Sequence, residues 1–187
     1  MITFLRDTLT TLILAAVIFF GLQATVQHSI VVSDSMKPSL QAKQHLIINK
    51  VAFKFHEPKR GDVIVFHPVN SQQGDYIKRI IGLPGESVEI EEGIVYIHKK
   101  DGSVLPLDEP YIKYPASYPF EGDTIPENEY FVLGDNRNNS DDSRNDWTLP
   151  RQNIVGKAWL SIWPRDRLGL APNYPLQGQI DSFASNN

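Results

Sequence analysis

Residues 76–86 read Tyr76-Ile77-Lys78-Arg79-Ile80-Ile81-Gly82-Leu83-Pro84-Gly85-Glu86. The apolar, β-branched run predicts a strand over 76–81, and the Gly-Leu-Pro-Gly that follows predicts the turn that stops it. On such a strand Tyr76, Lys78 and Ile80 share one face, and Ile77, Arg79 and Ile81 share the other. Similar short runs lie on both sides. Strands are expected at 46–53, at 63–66 behind Arg60-Gly61-Asp62, and at 87–90 and 94–98, which flank Glu91-Glu92-Gly93 as a hairpin. Asp101-Gly102 is a further turn signal, and 130–133 and 155–163 complete the strands. Nothing after residue 40 keeps a helical period over three turns, and there is no internal repeat. Residues 111–126, with Pro115, Pro119 and Pro126, read as a long surface loop, and 172–187 as a loosely packed tail. The fold class is mainly β: an antiparallel β-sheet or partly open barrel.

One helix precedes it. Between Asp7 and Asp34 there is no Asp, Glu, Lys or Arg, and residues 8–26 are mostly apolar. These 19 residues come close to the roughly 20 that cross a hydrocarbon core of about 30 Å. An uncleaved anchor over 8–28 is the reading adopted. A cleaved signal peptide fits the length but lacks an Ala-x-Ala site after the apolar run, and a buried helix of a soluble domain is the third reading. Arg6 favours an inside N-terminus, whereas Lys37, Lys43 and Lys50 pull the other way. The expected organisation is a short tail (1–7), the anchor (8–28), a β-rich domain (29–171) carrying a small β insertion (86–133), and the tail.

The chain has 187 residues, 18 Lys+Arg and 22 Asp+Glu, and no cysteine. A net charge of −4 without a basic block argues against nucleic-acid binding. The missing cysteines exclude disulfides, thiolate metal sites and a cysteine nucleophile. The sequence holds no GxSxG, HExxH or GxxxxGK[ST] and no Ser three residues before a Lys. Histidines 28, 45, 56, 67 and 98 are scattered without metal-type spacing. The Asp- and Asn-rich loop 135–142 fails the calcium-loop register, because Arg137 stands third and no Gly stands sixth.

Three segments carry chemistry. Ser33-Asp34-Ser35-Met36-Lys37-Pro38-Ser39-Leu40 places Ser35 nine residues past Val26, at most roughly 30 Å from the end of the anchor. In 76–86, a lysine on a buried face has a depressed pKa and serves as a base, which an arginine cannot do. Lys78 is thus the candidate base, and Arg79 the structural cation. The third segment, Gly134-Asp135-Asn136-Arg137-Asn138-Asn139-Ser140-Asp141-Asp142-Ser143-Arg144, is dense in groups able to orient a lysine and to hold a loop's shape. Read singly, the three are also a juxtamembrane linker, a pair of snorkelling cations on an edge strand and a solvated hairpin loop.

Read together, in this order and behind an apolar helix, they resemble the type I signal peptidase family. SDSMKPSL (33–40), RGDVIVF (60–66), YIKRIIGLPGE (76–86), GDNRNNSDDSR (134–144) and VGKA (155–158) each match a motif of that family, and the resemblance runs from about residue 8 to 164. It implies a serine–lysine endopeptidase that needs no cofactor or metal. Ser35 would be the nucleophile and Lys78 the general base. The Ser33 hydroxyl and the Ser35 backbone N–H would form the oxyanion hole, and Ser140 would orient the lysine. Asp142 and Arg144 would support the site as an ion pair, with Arg79 also structural. Lys37, on the same strand face as Ser35 by spacing, is a rival base that the family motif does not require. The family's Trp-Gly after the final arginine is absent, since Asn145-Asp146-Trp147-Thr148 follows Arg144. The implied partners are preprotein signal peptides with small residues before the cut, the lipid bilayer and a nearby secretion translocon. The implied location is the extracytoplasmic side of a plasma or thylakoid membrane. A protease dedicated to one substrate and a non-catalytic, anchored peptide-binding domain are the alternatives.

Overall fold

The computed structural model describes residues 2–68 and 74–176. Its first element, α1 (Ile2–Thr25), contains the span Phe4–Thr25, which is long and apolar enough to cross a membrane and is not buried against the rest of the chain. The threonines that interrupt its apolar pattern are satisfied within the helix: Thr8, Thr10 and Thr11 each donate to the carbonyl four residues back, at 2.8–2.9 Å. The helix starts before the expected 8–28, so most of the expected tail 1–7 is helical. It also stops three residues early, because Val26, Gln27 and His28 pair with a strand.

That strand is β1 (Val26–Ile30), antiparallel to β2 (His45–Asn49). The expected strand over 46–53 is shorter than predicted. The Asn49 side chain accepts the Val51 N–H at 3.0 Å, and the chain turns into a short helix, α2 (Ala52–Phe55). The remaining main-sheet strands are β3 (Val63–Phe66), β4 (Tyr76–Gly82), β9 (Glu129–Leu133), β10 (Leu149–Pro150), β11 (Ile154–Trp163) and β12 (Gly169–Leu170). The order is β1-β2-β11-β3-β4-β9-β10, with β12 beside β11 and every pairing antiparallel. The ends β1 and β10 are not joined, so the sheet is open. A second sheet consists of β5 (Ser87–Glu91), β6 (Ile94–His98), β7 (Val104–Pro106) and β8 (Phe120–Glu121), within the expected insertion 86–133, whose last residues instead form β9 of the main sheet. The fold is therefore mainly β behind one apolar helix.

Both faces of the central strands are covered, and all four residues of β3 are buried. One face packs Ile64, Phe66, Ile80, Tyr130 and Val132 together. The other packs Val63 and Val65 with Met36, Leu40 and Ile48, and continues into a cluster of Ile81, Leu133 and the second sheet.

Two expectations about loops are corrected. Residues 111–126 are not a surface loop throughout, because Tyr111, Ala116 and Ile125 are buried in the cluster under the second sheet. Residues 172–176 are not loose. Asn173 accepts the Val63 N–H at 2.8 Å and donates to the Ala158 carbonyl at 2.9 Å, and Leu176 is only 1% exposed. The remainder of the expected tail lies outside the described residues. Leu176→Ala should lower the unfolding free energy by about 2–5 kcal/mol, as for other buried leucines. Denaturant unfolding in detergent micelles checks this. A change below about 0.5 kcal/mol would instead be that of a surface position.

Candidate active site

Ser35 lies in a turn rather than on a strand, so the idea that Lys37 shares its strand face does not hold. Met36 is fully buried in the core and fixes the turn from inside. The loop after β9 fixes it from above: Asn136 donates its backbone N–H to the Ser35 carbonyl at 2.9 Å and its side-chain amide to the Asp34 carbonyl at 3.1 Å. Ser35 is thus buried while Ser33 stays exposed, and the two hydroxyls are 3.1 Å apart. Lys37 is exposed and pairs with Asp34 at 2.9 Å, away from the serine.

Lys78 sits on β4 with Ile64 of β3 as its cross-strand partner. Its Nζ donates to Ser35 Oγ at 2.9 Å and to the Ile77 carbonyl at 3.3 Å, and lies 5.2 Å from the Tyr76 ring centre. Lys78 is only 4% exposed, so the amine is largely withdrawn from the water that would solvate its charge. That desolvation lowers the Lys78 pKa from the ordinary value near 10.5 to about 8, against the opposing pull of Asp142, Asp141 and Asp135.

Arg79 points to the opposite face, as the alternation requires, but it is even more buried than Lys78. Desolvation acts on it too, yet hydrogen bonding and charge from Asp135 outweigh it and raise its pKa. The bidentate contact to Asp135 is at 2.9 and 2.7 Å; further donors reach the Gly61 and Pro172 carbonyls, and the guanidinium lies 3.9 Å from the Tyr111 ring centre. Burial alone therefore does not decide which cation loses its proton. The chemistry of the group does: a guanidinium keeps its proton and is buried with a carboxylate partner, whereas an amine can give its proton up, and neither cation snorkels.

Asp142 and Arg144 pair as expected, at 2.8 and 2.9 Å, and Asp142 also accepts the Gly134 N–H at 3.0 Å, closing the loop on itself. Ser140 differs from expectation. Its Oγ is buried and makes no hydrogen bond to Lys78 or to any other described group. The Ser140 side chain packs instead over Gly134, where a Cβ would collide with it and with the Ser35 carbonyl.

Several residues that hold this arrangement were not singled out from the sequence. Asp135 and Asn136 fall in the third segment but carried no assigned role. Arg137 pairs with Glu109 at 2.5 and 2.7 Å, Tyr111 donates to that carboxylate at 2.6 Å, and Asn138 bonds Ser117 and the Pro115 carbonyl at 2.9 Å. The insertion thus braces the loop that holds Ser35. Arg60 grips Glu86 at 2.7 and 2.8 Å, and Lys157 pairs with Asp62 at 2.5 Å. A cavity of about 680 Å³ lies in front of the pair, with Val32, Ser33 and Ser35 on one wall and Tyr76, Lys78 and Ser140 among those facing them. Among the described residues no cluster of three or more His, Asp or Glu side chains is placed to hold a metal.

The chain is similar in sequence to known proteins. A family model described as "Signal peptidase, peptidase S26" matches residues 4–163. Signal peptidase I of Leptolyngbya laminosa is 40% identical over 173 residues, spanning 88% of this chain and 83% of that protein. A probable signal peptidase I-2 of Synechocystis sp. is 38% identical, spanning 86% and 74%. Signal peptidase IB of Staphylococcus aureus is 33% identical, spanning 70% and 74%.

The buried amine has a thermodynamic consequence. Below pH 8 Lys78 is protonated whether the chain is folded or not, and above pH 10.5 it is neutral in both. Between these values the unfolded chain binds more protons, so the Lys78 contribution to stability rises with pH, by about 3 kcal/mol in all. The difference in unfolding free energy between wild type and Lys78→Met should therefore move in favour of wild type by that amount across this window. A pH-independent difference would mean that the amine keeps its ordinary pKa.

Proposed function

This chain belongs to the signal peptidase family, peptidase S26, and on that premise we propose that it is a membrane-anchored serine endopeptidase that cuts signal peptides from translocated preproteins with a Ser35–Lys78 dyad. One observation carries the reading: Nζ of a buried lysine whose pKa is lowered to about 8 lies 2.9 Å from a serine hydroxyl at the wall of an open cavity.

The chemistry follows from the geometry. Neutral Lys78 takes the proton of Ser35 Oγ as the oxygen attacks the scissile carbonyl carbon, giving a tetrahedral oxyanion and a lysine ammonium. The Ser35 backbone N–H and the Ser33 hydroxyl, already 3.1 Å from Ser35 Oγ, are the donors for that oxyanion. When the C–N bond breaks, the ammonium returns its proton to the leaving amine and an ester on Ser35 remains. Lys78, neutral again, takes a proton from the water that adds to the ester carbon, and returns it to Ser35 Oγ as the bond from that oxygen to the acyl carbon breaks and the carboxylic acid product leaves. The scheme needs no cofactor. Asp135, Arg79, Asp142, Arg144 and Asn136 act as positioning residues.

Position relative to the membrane supports the substrate class. The Lys50 N–H binds the carbonyl of Thr25, the last residue of α1, at 2.9 Å, so the β-domain begins where the apolar helix ends. A signal peptide presents its scissile bond just past its own apolar stretch, so enzyme and substrate meet at one level. β1 pairs only with β2 among the main-sheet strands. Residues 28–34 therefore leave an edge along the cavity, on which an extended peptide is added as a strand. Its small side chains before the cut then face the wall beside Ser35. The implied location is the extracytoplasmic side of the membrane, next to the translocon that delivers such chains.

Processing of a model preprotein in lipid vesicles tests the reading. Wild type should cleave it, whereas Ser35→Ala and Lys78→Met should give no product above background. For wild type, kcat/KM should rise with pH, level off above about 8 and fall as the base is protonated below it. Ser33→Ala should lower kcat about 10²–10³-fold with KM little changed, the usual effect of removing one oxyanion donor. Equal product from wild type and Ser35→Ala would end the enzyme reading.

A further inference from the structure

Two histidines that are 17 residues apart in sequence meet on the sheet. In the β1–β2 register His28 stands opposite Ile47 and His45 opposite Ile30, so the two imidazoles are diagonal neighbours on one face. His28 Nε2 lies 3.0 Å from His45 Nδ1, with ring centres 5.0 Å apart and ring planes tilted by 50°. His28 is exposed and His45 half-buried, on an edge strand and its neighbour. The other three histidines are placed differently: His67 and His98 meet carboxylates at 2.7 and 2.6 Å, and His56 contacts a backbone carbonyl. The peptidase scheme uses neither ring of the 28/45 pair, yet His28 lines the same cavity as Ser35 and Lys78.

As it stands the contact is a hydrogen bond between the two rings, and its nitrogen separation is also one that two ligands on a single metal ion adopt. Bonds of about 2.0–2.1 Å put neighbouring ligand nitrogens about 2.9 Å apart at a right angle and about 3.4 Å apart at the tetrahedral angle. The 3.0 Å observed falls between these limits. To chelate, the shared proton must leave for the donor ring's other nitrogen and both lone pairs must turn onto a shared point. The rings lie on one sheet face, His28 exposed on the edge strand and His45 half-buried on its inner neighbour, so solvent reaches the pair. Imidazole nitrogens select zinc, copper and nickel over magnesium and calcium.

We propose that His28 and His45 form an open, two-imidazole site for a divalent transition-metal ion at the rim of the cavity that holds Ser35, and that a bound ion obstructs the entry of a peptide strand there. No third His, Asp or Glu completes a metal cluster among the described residues, so water or a peptide carbonyl takes the remaining positions. Such a site is reversible and regulatory rather than structural.

The test uses the full chain in lipid vesicles, with Cu²⁺, Zn²⁺ and Mg²⁺ salts as probes. Copper electron paramagnetic resonance should show coupling to two imidazole nitrogens in wild type, and His45→Gln should lose that pattern. Cu²⁺ and Zn²⁺ should inhibit preprotein processing, reversibly on addition of a chelator, and Mg²⁺ at the same dose should not. His45→Gln should keep its metal-free rate and need at least about tenfold more metal for the same inhibition, the scale on which loss of a site group weakens a metal. Identical copper spectra for wild type and His45→Gln overturn the site. Equal sensitivity of their processing rates to metal overturns the obstruction. Only the inhibition arm rests on the peptidase reading; the spectroscopic arm stands without it, so the two failures are distinguishable.

Discussion

An amine is held 2.9 Å from a hydroxyl in a place where water cannot stabilise its charge, and the rest of the fold is arranged around that contact. Two opposing effects set the proton. Burial drives the Lys78 pKa down, while Asp142, Asp141 and Asp135 pull it up. Two of these carboxylates are themselves paired, Asp142 with Arg144 and Asp135 with Arg79. The result is an amine that is partly neutral near physiological pH and able to gain or lose a proton during a reaction. Arg79, one residue away and more buried, stays charged because a guanidinium does not give up its proton in this range, and Asp135 meets that charge in bidentate geometry.

The sequence motifs outside the Ser35–Lys78 pair act through buried ion pairs. Arg60 of the 60–66 segment holds Glu86 at the end of the 76–86 segment, Arg79 holds Asp135 of the 134–144 segment, and Lys157 of the 155–158 segment holds Asp62. Each pair ties one segment to another far along the chain. Buried pairs of this kind are weak evidence for stability, since desolvation offsets much of their attraction, but losing one partner strands a charge at a cost of about 3–5 kcal/mol. Their service here is geometric. The Arg79–Asp135 pair anchors the loop after β9, whose next residue, Asn136, holds the Ser35 carbonyl.

Much of the architecture was legible because it depends on local pattern. The strands at 63–66, 87–90, 94–98 and 130–133, the apolar N-terminal helix, and the opposite facing of Lys78 and Arg79 all follow from periodicity and turn residues. The pairing of Ser35 with Lys78 was legible only through the family resemblance, because a contact between residues 43 positions apart leaves no local trace. For the same reason the Asp135 partner of Arg79, the buried Tyr111, the packed stretch 172–176 and the meeting of His28 with His45 were missed. Proline density made 111–126 look like surface, although Tyr111, Ala116 and Ile125 close the core from that side. Ser140 shows the converse: a role implied by resemblance was not matched in geometry, because its side chain packs over Gly134.

The account stands on the charge state of one amine. Carbon-13 labelling at Lys78 Cε, followed by nuclear magnetic resonance through a pH titration of the folded protein in detergent micelles, reads that state without reference to turnover. The account predicts a transition near pH 8 for this lysine, well below those of the exposed lysines in the same spectrum. A transition at the ordinary lysine value near 10.5 would contradict it.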